Sequence, residues 1–574
     1  MIVFGMRAAL GIYAIIVIYF SISSAIIENS DSPDSTVLSY QDGSILAGKN
    51  LSTQNLSAAH LNRSDMKRSI LDGVDLSGAH LAGSEMSFAS IKKANLARAN
   101  LILSDLFGAN LAGSDLSDAI MQQAIISQAN LIGAKLDRSN MTASDLSNSN
   151  LSGASLIGAH AKRAMLGNSS LSRANLSGAS FVGANLMDAD LREADLRGAD
   201  ISEARLYRAK LTGSNMSRSN IVFANLTGVN LSQADLSNSV LKGSSFSHSD
   251  LTQAILSDAD LSDAVMHESL LMEAALIRVN ASGACMEASN LTRADLSGAN
   301  LADCRMHEVK LVDARLIGAD STGACMENSD LRGADLTGMR LVETNLVGAN
   351  MKGLNMQRAI AMSAKMSWAD LSNSHLSASQ LTRVEFYGTN LSGSDLSEAD
   401  LTRAYMMRAN LTGSDLKNAD LTGCDLSNAI LRGANLNSAD ICGTALNGAD
   451  LKGARLATAN LRGLNLVGAN FSQAGLEGAT LQGPMLIQDV NLSEAKLRNA
   501  RMELILLKNV SLADADLRGA NLTMIMMIGV DLSRANLEGI NYDSFSLQNI
   551  FNSKLNKTRM SKVLENDLEN LRKM

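Results

Sequence analysis

"ANLSGASFVGANLMDADLREADLRGAD", residues 174–200, places one large apolar residue at every fifth position. Leu176, Phe181, Leu186, Leu191 and Leu196 are these residues, and an alanine stands two places before each of them. A period of five does not fit an α-helix, because five residues turn a helix by about 500° and successive large residues drift around its surface. It does not fit a flat strand either, because residues five apart point to opposite faces.

The period continues far beyond this stretch. From Leu46 to Leu486, 85 of the 89 positions at this spacing hold Leu, Met, Ile or Phe. Two places earlier, from Ala59 to Ala479, 82 of 85 positions hold Ala, Ser, Val, Thr or Cys. A small and a large residue two apart face the same side of a short strand. The two remaining positions are rich in Ser, Arg and Gly, which favour turns. Each pentapeptide is therefore predicted to form one short side and one corner.

Internal duplications indicate the length of a coil. Residues 261–300 and 301–340 align without gaps, so that "GACMEAS" at Gly283 matches "GACMENS" at Gly323. Near the end of the chain, residues 506–521 and 526–541 match at an offset of 20. Offsets of 40 and 20 are what a coil of four pentapeptides would produce. The sequence predicts an all-β solenoid whose coils take 20 residues.

The repeated unit A-(D/N)-L-x-x, as in "ADLRGADISEARLYRAKLTG" at residues 194–213, closely resembles the pentapeptide-repeat proteins over about 500 of the 574 residues. The resemblance implies a right-handed quadrilateral β-helix with the large and small residues inside. The family motif is structural, so it implies no catalytic residues. Some members of the family bind DNA gyrase as DNA-mimicking rods, and others, common in cyanobacteria, are exported or attached to membranes.

Residues 1–27 are predicted to be a signal peptide or a signal anchor. Arg7 precedes an apolar run over residues 8–20, and Ser23 and Ala25 are the small residues expected before a cleavage site. Extended to Ile27, the segment 8–27 is long enough to span a bilayer. In both interpretations the rest of the chain lies outside the cytoplasm, either free or anchored in the membrane by this segment alone. A third interpretation makes the segment a buried helix that caps the repeats.

The remaining boundaries follow from the phase of the repeat. Residues 28–45 are predicted to form a linker or N-terminal cap, and residues 46–486 the regular β-helix. One residue is inserted after Leu486, next to Pro484, which predicts a bulge or bend. Residues 487–547 would continue the β-helix in shifted phase, and residues 548–574 would form a helical cap. The apolar face of that helix is predicted to consist of Met560, Val563, Leu564, Leu568 and Leu571.

Composition separates the classes of function. Lys+Arg number 50 against 58 Asp+Glu, a net charge of −8, so the chain has no basic stripe and we expect no nucleic-acid partner. The seven histidines are scattered and no catalytic motif stands in context, so we expect no enzymatic activity, no catalytic residue and no cofactor. The five cysteines do not describe a disulfide framework.

Two classes of function remain. The favoured one is a structural or interaction rod outside the cytoplasm that binds a protein or envelope partner through its flat faces. The alternative is a DNA-mimicking inhibitor of a DNA-binding enzyme such as a type II topoisomerase. That alternative needs residence in the cytoplasm and a dense acidic face, whereas this chain has an export segment and a charge of −8 spread over 574 residues.

A candidate partner-binding patch comes from the aromatic residues. Positions 366, 386 and 406 are 20 apart and stack on one another, so their neighbours cluster on three coils. These neighbours are Trp368, Tyr387, Tyr405 and Met407. Aromatic side chains are favoured anchors of protein interfaces, and the chain has only 3% aromatic residues. The alternative interpretation is that single apolar residues on a surface are ordinary.

One outward column combines histidine with glutamate on successive coils. It contains His267, Glu287, His307 and Glu327, flanked by Cys285 and Cys325. Histidine, cysteine and carboxylate side chains are the ligands that zinc prefers. Alternatively, the duplication copied one surface pattern in which opposite charges stack. The sequence assigns no metal ligand and leaves metal binding by this column open. The two cysteines are two coils apart, roughly 9–10 Å, which is too far for an undistorted disulfide.

Four positions depart from the column of large residues: Ala161, Ala281, Ser321 and Ala361. They are separated by multiples of 20 residues, so they belong to one face. The last three are each followed five residues later by methionine, namely Met286, Met326 and Met366. Because methionine is long and adaptable, we expect it to fill the space that the small residue leaves.

Overall fold

The computed structural model describes residues 40–573, and in them the chain forms a β-solenoid of stacked coils. Parallel bridges join Asn175 to Asp195 and Asp195 to Asn215, and the same 20-residue offset recurs along the rod. The predicted coil of four pentapeptides is therefore confirmed. About 25 such coils at ~4.8 Å per strand spacing make a rod roughly 120 Å long.

The hypotheses for residues 1–27, and for most of the 28–45 linker, lie outside the described residues. In residues 40–573 there is no helix with the length and apolar character that a membrane crossing requires.

The interior of the rod is filled by stacked columns of two kinds, large and small. Large residues such as Leu196 and small residues such as Ala194 are both buried, as the two-residue spacing predicts. Burying one leucine contributes roughly 1.5–3 kcal/mol. Because each coil buries its core only against its neighbours, a single coil is not stable alone, whereas a stack of coils is.

Backbone hydrogen bonds tie each pentapeptide to the next coil. The Leu196 N–H donates to the Asn215 carbonyl at 2.6 Å, and the Gly198 N–H donates to the Ser217 carbonyl at 3.0 Å. Within the corner, the Ala199 N–H donates back to the Leu196 carbonyl at 3.0 Å and closes a turn. The second residue after nearly every large residue adopts positive φ, which is 64° at Gly198. Glycine adopts this conformation without steric cost, and other residues adopt it at some cost.

The Asp or Asn before each large residue has a structural role. The Asp235 carboxylate accepts a hydrogen bond from the backbone N–H of Ser237 at 2.9 Å, so it caps the corner that follows. Asp and Asn commonly accept such bonds from the backbone two residues on. This contact explains the second letter of the repeat unit: the residue points outward, and its oxygen is engaged by its own turn.

We expect Asp235→Ala to lower the stability of the rod by about 0.5–1.5 kcal/mol, the usual contribution of one such hydrogen bond. Asp235→Asn is the matched control, because an amide oxygen can accept the same bond from Ser237. The melting temperatures of the two variants are compared by circular dichroism. Equal melting temperatures would show that the side-chain oxygen does not stabilise the corner.

The regular coils change near residue 480, where longer strands appear. A four-stranded parallel sheet has the order β1-β2-β3-β4. Its strands are β1 (Leu466–Val467), β2 (Thr480–Gln488), β3 (Arg501–Lys508) and β4 (Met526–Ile528).

The inserted residue lies earlier than the sequence indicated. The register between β2 and β3 shifts between residues 482 and 485, around Pro484, so the predicted bulge is present. Leu486, however, is 42% exposed, whereas Ile487 is buried. The regular column of large residues therefore ends at Leu481 and resumes six residues later. Counting in fives assigned Leu486 to the interior, and this was wrong because the bulge precedes it.

The C-terminal cap contains two helices where the sequence predicted one. After β5 (Asn536–Leu537) come α1 (Ser544–Phe551), β6 (Arg559–Met560), which pairs with β5, and α2 (Lys562–Lys573). On α2, Leu564 and Leu568 are buried as predicted. Val563 is 66% exposed, so its assignment to the apolar face was wrong. Met560 lies in β6, before the helix begins.

Helix α1 covers the open edge of the last coil. Three side chains accept hydrogen bonds from backbone N–H groups of that coil: Asp543 from Met524 at 2.8 Å, Ser546 from Ile525 at 3.1 Å and Asn549 from Met527 at 3.0 Å. An uncovered strand edge invites pairing with another chain. These polar contacts satisfy the edge and end the solenoid.

Candidate binding corner of the rod

Two aromatic side chains of the predicted patch are in direct contact. The rings of Trp368 and Tyr387 meet edge to face, with centroids 5.2 Å apart. Trp368 is 62% exposed and lies across Gly388, where a Cβ atom would come within 2.6 Å of two ring carbons. The Arg408 guanidinium lies 5.9 Å from the centre of the Tyr387 ring. Three successive coils thus present one surface of two aromatic rings and a cation.

The other two predicted residues flank this surface. Tyr405 is exposed, and its backbone forms a parallel β-bridge with Glu385 of the preceding coil. Met407 is half-buried on the coil after Tyr387. In the described part of the chain, the ring contact joins Trp368 and Tyr387 and does not extend to Tyr405. The structure therefore brings two of the four predicted residues into direct contact and leaves the other two beside them.

Sequence reasoning missed further ring pairs, and two of them lie at positions equivalent to Trp368 and Tyr387. Phe88 meets Phe107 edge to face with centroids 5.4 Å apart, and Phe88 covers Gly108 as Trp368 covers Gly388. His248 meets His267 at 5.9 Å. In these two pairs and in Trp368–Tyr387 the partners are 19 residues apart, and positions 88, 248 and 368 differ by multiples of 20. They occupy one corner of the solenoid, which we call the aromatic corner. The spacing of 19 was the available signal.

The predicted histidine column lies on the same corner, and its two copies make different contacts. His307 Nδ1 is 2.7 Å from Glu327 Oε2, and ligand atoms of His307, Cys325 and Glu327 all lie within 4.8 Å of one another. Burial raises the pKa of the Cys325 thiol, and the nearby charge of Glu327 raises it further. The amide of Asn345 donates to Glu327 Oε1. We call His307, Cys325 and Glu327 the HCE cluster.

The first copy of the duplicated pattern is arranged differently. His267 turns to its neighbour Glu268, with Nε2 and Oε1 3.0 Å apart. Glu287 instead faces Arg305, whose Nε lies 3.4 Å from Oε1. The neighbouring Cys285 thiol also raises the pKa of Arg305. In this copy the positive charge of an arginine already compensates the glutamate.

The two most buried thiols are sequestered in the core. Cys304 Sγ donates to the Ala281 carbonyl at 2.9 Å, and Cys424 Sγ donates to the Leu401 carbonyl at 2.8 Å. Burial raises the pKa of each thiol to about 12. Both stay protonated at neutral pH, and reactive cysteines need thiolate character and access to solvent. These two cysteines therefore serve packing.

Exposed carboxylates are interleaved with arginines along the rod. Salt bridges between adjacent coils join Arg138 to Asp118 at 2.8 Å, Arg278 to Asp258 at 2.7 Å and Arg534 to Asp514 at 2.6 Å. In each pair the hydrogen bond from the arginine lowers the pKa of the aspartate. Such exposed pairs contribute little to stability. Their effect on the surface is to divide the negative charge among mixed columns.

The sequence matches a family model described as pentapeptide repeats in eight copies. The matched residues are 69–360, 364–483 and 487–523. This match covers most of the chain and follows the same five-residue period as the coils. No curated protein has a matching sequence.

Several solved structures are similar to the chain. HetL, a pentapeptide repeat protein involved in heterocyst differentiation regulation from the cyanobacterium Nostoc, is 31% identical over 41% of this chain and 89% of its own, with a TM-score of 0.19. A pentapeptide repeat protein of the Arabidopsis thaliana thylakoid lumen is 32% identical over 19% of this chain and 63% of its own, with a TM-score of 0.08. Full-length QnrB1, a plasmid-mediated fluoroquinolone resistance protein, is 20% identical over 35% of this chain and 93% of its own, with a TM-score of 0.18.

Proposed function

The chain belongs to the pentapeptide-repeat family, and from that premise we propose that it is a non-enzymatic interaction rod that binds a protein partner through the aromatic corner. The observation that carries the proposal is the surface formed by Trp368, Tyr387 and Arg408. Trp, Tyr and Arg are the residue types that contribute most to protein interfaces. The rod supplies a rigid scaffold on which they are presented.

The arrangement of Trp368 favours binding over a chance exposure. Its ring is held between Tyr387 and the bare backbone of Gly388, so its orientation is fixed before a partner arrives. A side chain that is already ordered loses less conformational entropy on association. The exposed face of the indole then remains available to a partner.

We propose that the rod acts outside the cytoplasm, with residues 8–27 directing export as a cleaved signal or a retained anchor. The support is the order of charge, apolar run and small residues at the N-terminus. A tag placed after Met574, followed by cell fractionation, tests this proposal. Recovery outside the cytoplasm is expected, and the mass of the mature chain distinguishes cleavage from anchoring. A product found in the cytosol would contradict the proposal.

Partner capture tests the corner itself. We expect Trp368→Ala to lower the amount of a specific partner recovered from envelope extracts by at least about tenfold, since truncation of an interface anchor typically costs about 2 kcal/mol or more. Phe223→Ala is the matched control. Phe223 is 65% exposed, occupies the same turn position with φ of 54° and covers Gly243, but it lies on a different corner.

Capture that is unaffected by Trp368→Ala, or reduced equally by Phe223→Ala, would contradict binding through the aromatic corner. The DNA-mimicking alternative predicts a different outcome, in which a cytosolic protein inhibits a type II topoisomerase and loses that inhibition when carboxylates are neutralised. Where arginines bridge aspartates of adjacent coils they interrupt the negative charge, which favours the interaction rod, because a DNA mimic needs a continuous negative face. Asp400, Asp420 and Asp440 stack without an intervening arginine, so the acidic stretch is limited to a few coils.

A further inference from the structure

We propose that the HCE cluster (His307, Cys325 and Glu327) binds one zinc ion, which bridges two adjacent coils at the aromatic corner. The cluster supplies a nitrogen, a sulfur and an oxygen ligand, with the candidate atoms all within 4.8 Å of one another. A tetrahedral zinc ion with bonds of about 2.0–2.3 Å holds its ligands roughly 3.3–3.8 Å apart. Binding would require the side chains to rotate until the three atoms reach that spacing.

The state of Glu327 supports a cation at this place. Its Oε2 atom is buried, and His307 Nδ1 lies 2.7 Å from it. Burial of a carboxylate oxygen is costly unless a positive charge compensates it, and a zinc ion held by Oε2 and a neutral His307 supplies that charge. Two electron-rich atoms that converge in this way are suited to share a metal ion.

The second carboxylate oxygen is held in place from the next coil. The Asn345 amide donates to Glu327 Oε1, which fixes the carboxylate and leaves Oε2 directed toward the histidine. Hydrogen bonds of this kind orient metal ligands and are a regular part of metal sites. Because the imidazole of His307 is partly exposed, a water molecule can complete the coordination.

The two duplicated copies provide an internal comparison. Forty residues before Asn345 stands Arg305, which faces Glu287 at 3.4 Å. The first copy therefore neutralises its glutamate with a guanidinium, and its histidine, His267, turns to Glu268. The second copy has a neutral amide in place of the arginine. Arg305 and Lys365 act on Cys325, where their charge favours the thiolate that zinc binds. Among the described residues Glu327 makes no salt bridge to an arginine or a lysine, so its carboxylate can bind a zinc ion together with His307.

The test uses the full-length protein without a histidine tag. After incubation with zinc sulfate and removal of excess metal, elemental analysis should find one zinc per chain. Incubation with cobalt chloride should produce the near-ultraviolet absorption band of a thiolate bound to cobalt. Cys325→Ser should abolish that band and the bound zinc, and His307→Ala should reduce zinc retention at least tenfold. Cys285→Ser, the equivalent change in the first copy, should leave both signals intact.

A second pair of variants tests the role of charge. Asn345→Arg should prevent zinc binding by recreating the ion pair of the first copy, whereas Asn345→Gln should preserve it. Circular dichroism of each variant verifies that the solenoid is folded. Absence of stoichiometric zinc in the wild-type protein would overturn the assignment. So would full binding by Cys325→Ser or by Asn345→Arg. This inference is independent of the partner proposed above.

Discussion

Leu196→Asp should unfold the central coils or lower the melting temperature drastically, while Leu196→Met should leave it nearly unchanged. Leu196 is completely buried, between coils that contain only apolar and small side chains at the neighbouring interior positions. A carboxylate there must either remain charged without a partner or take up a proton, at a cost of several kcal/mol. Methionine nearly conserves the volume of leucine, and such exchanges usually cost less than about 1.5 kcal/mol.

Thermal unfolding followed by circular dichroism measures the difference. Leu396 offers a second site of the same kind, because it is equally buried ten coils further along. The Asp variants should be far less stable than the Met variants at both sites. Comparable melting temperatures for the two substitutions would contradict the inward orientation of the large column. A loss at one site alone would show that the rod unfolds in separate segments.

The repeat made most of the fold predictable. Every coil applies the same rule, so an unusual residue in one pentapeptide does not affect the next, and the burial of Leu196 followed from spacing alone. The rule failed where the chain inserts a residue. Leu481 and Ile487 are six apart, and a count in fives places Leu486 inside, although the bulge around Pro484 turns it outward. Only the register between strands locates such a bulge.

The candidate sites were less predictable, because they depend on the directions of side chains. Column arithmetic placed His267 and His307 in equivalent positions, yet one turns to Glu268 and the other to Glu327. The difference follows from Arg305, which takes the place that Asn345 holds in the other copy. The contact between Phe88 and Phe107, by contrast, could have been predicted, because the two residues are 19 apart like Trp368 and Tyr387.

The small residues in the large column make a further prediction about the interior. Ala281 and Met286, five residues later, are both buried. The Ala281 carbonyl accepts a hydrogen bond from the Cys304 thiol. At Ser321, another small residue in the large column, the carbonyl accepts a hydrogen bond from the Thr344 hydroxyl. In both cases the small column of the next coil carries a residue larger than alanine. We therefore expect the space beside Ala281 to be shared between Met286 and Cys304.

Under this hypothesis Ala281→Leu should destabilise the rod by about 1–3 kcal/mol, because the added atoms must displace side chains that already fill the space. Adding Met286→Ala should recover part of that loss, since it removes volume next to the new leucine. The control is Met286→Ala alone, which should itself destabilise the rod by leaving a cavity. The recovery in the double variant therefore measures direct contact between positions 281 and 286. If Ala281→Leu instead raises the melting temperature, the space is empty, and that face of the rod contains a small pocket able to admit a ligand.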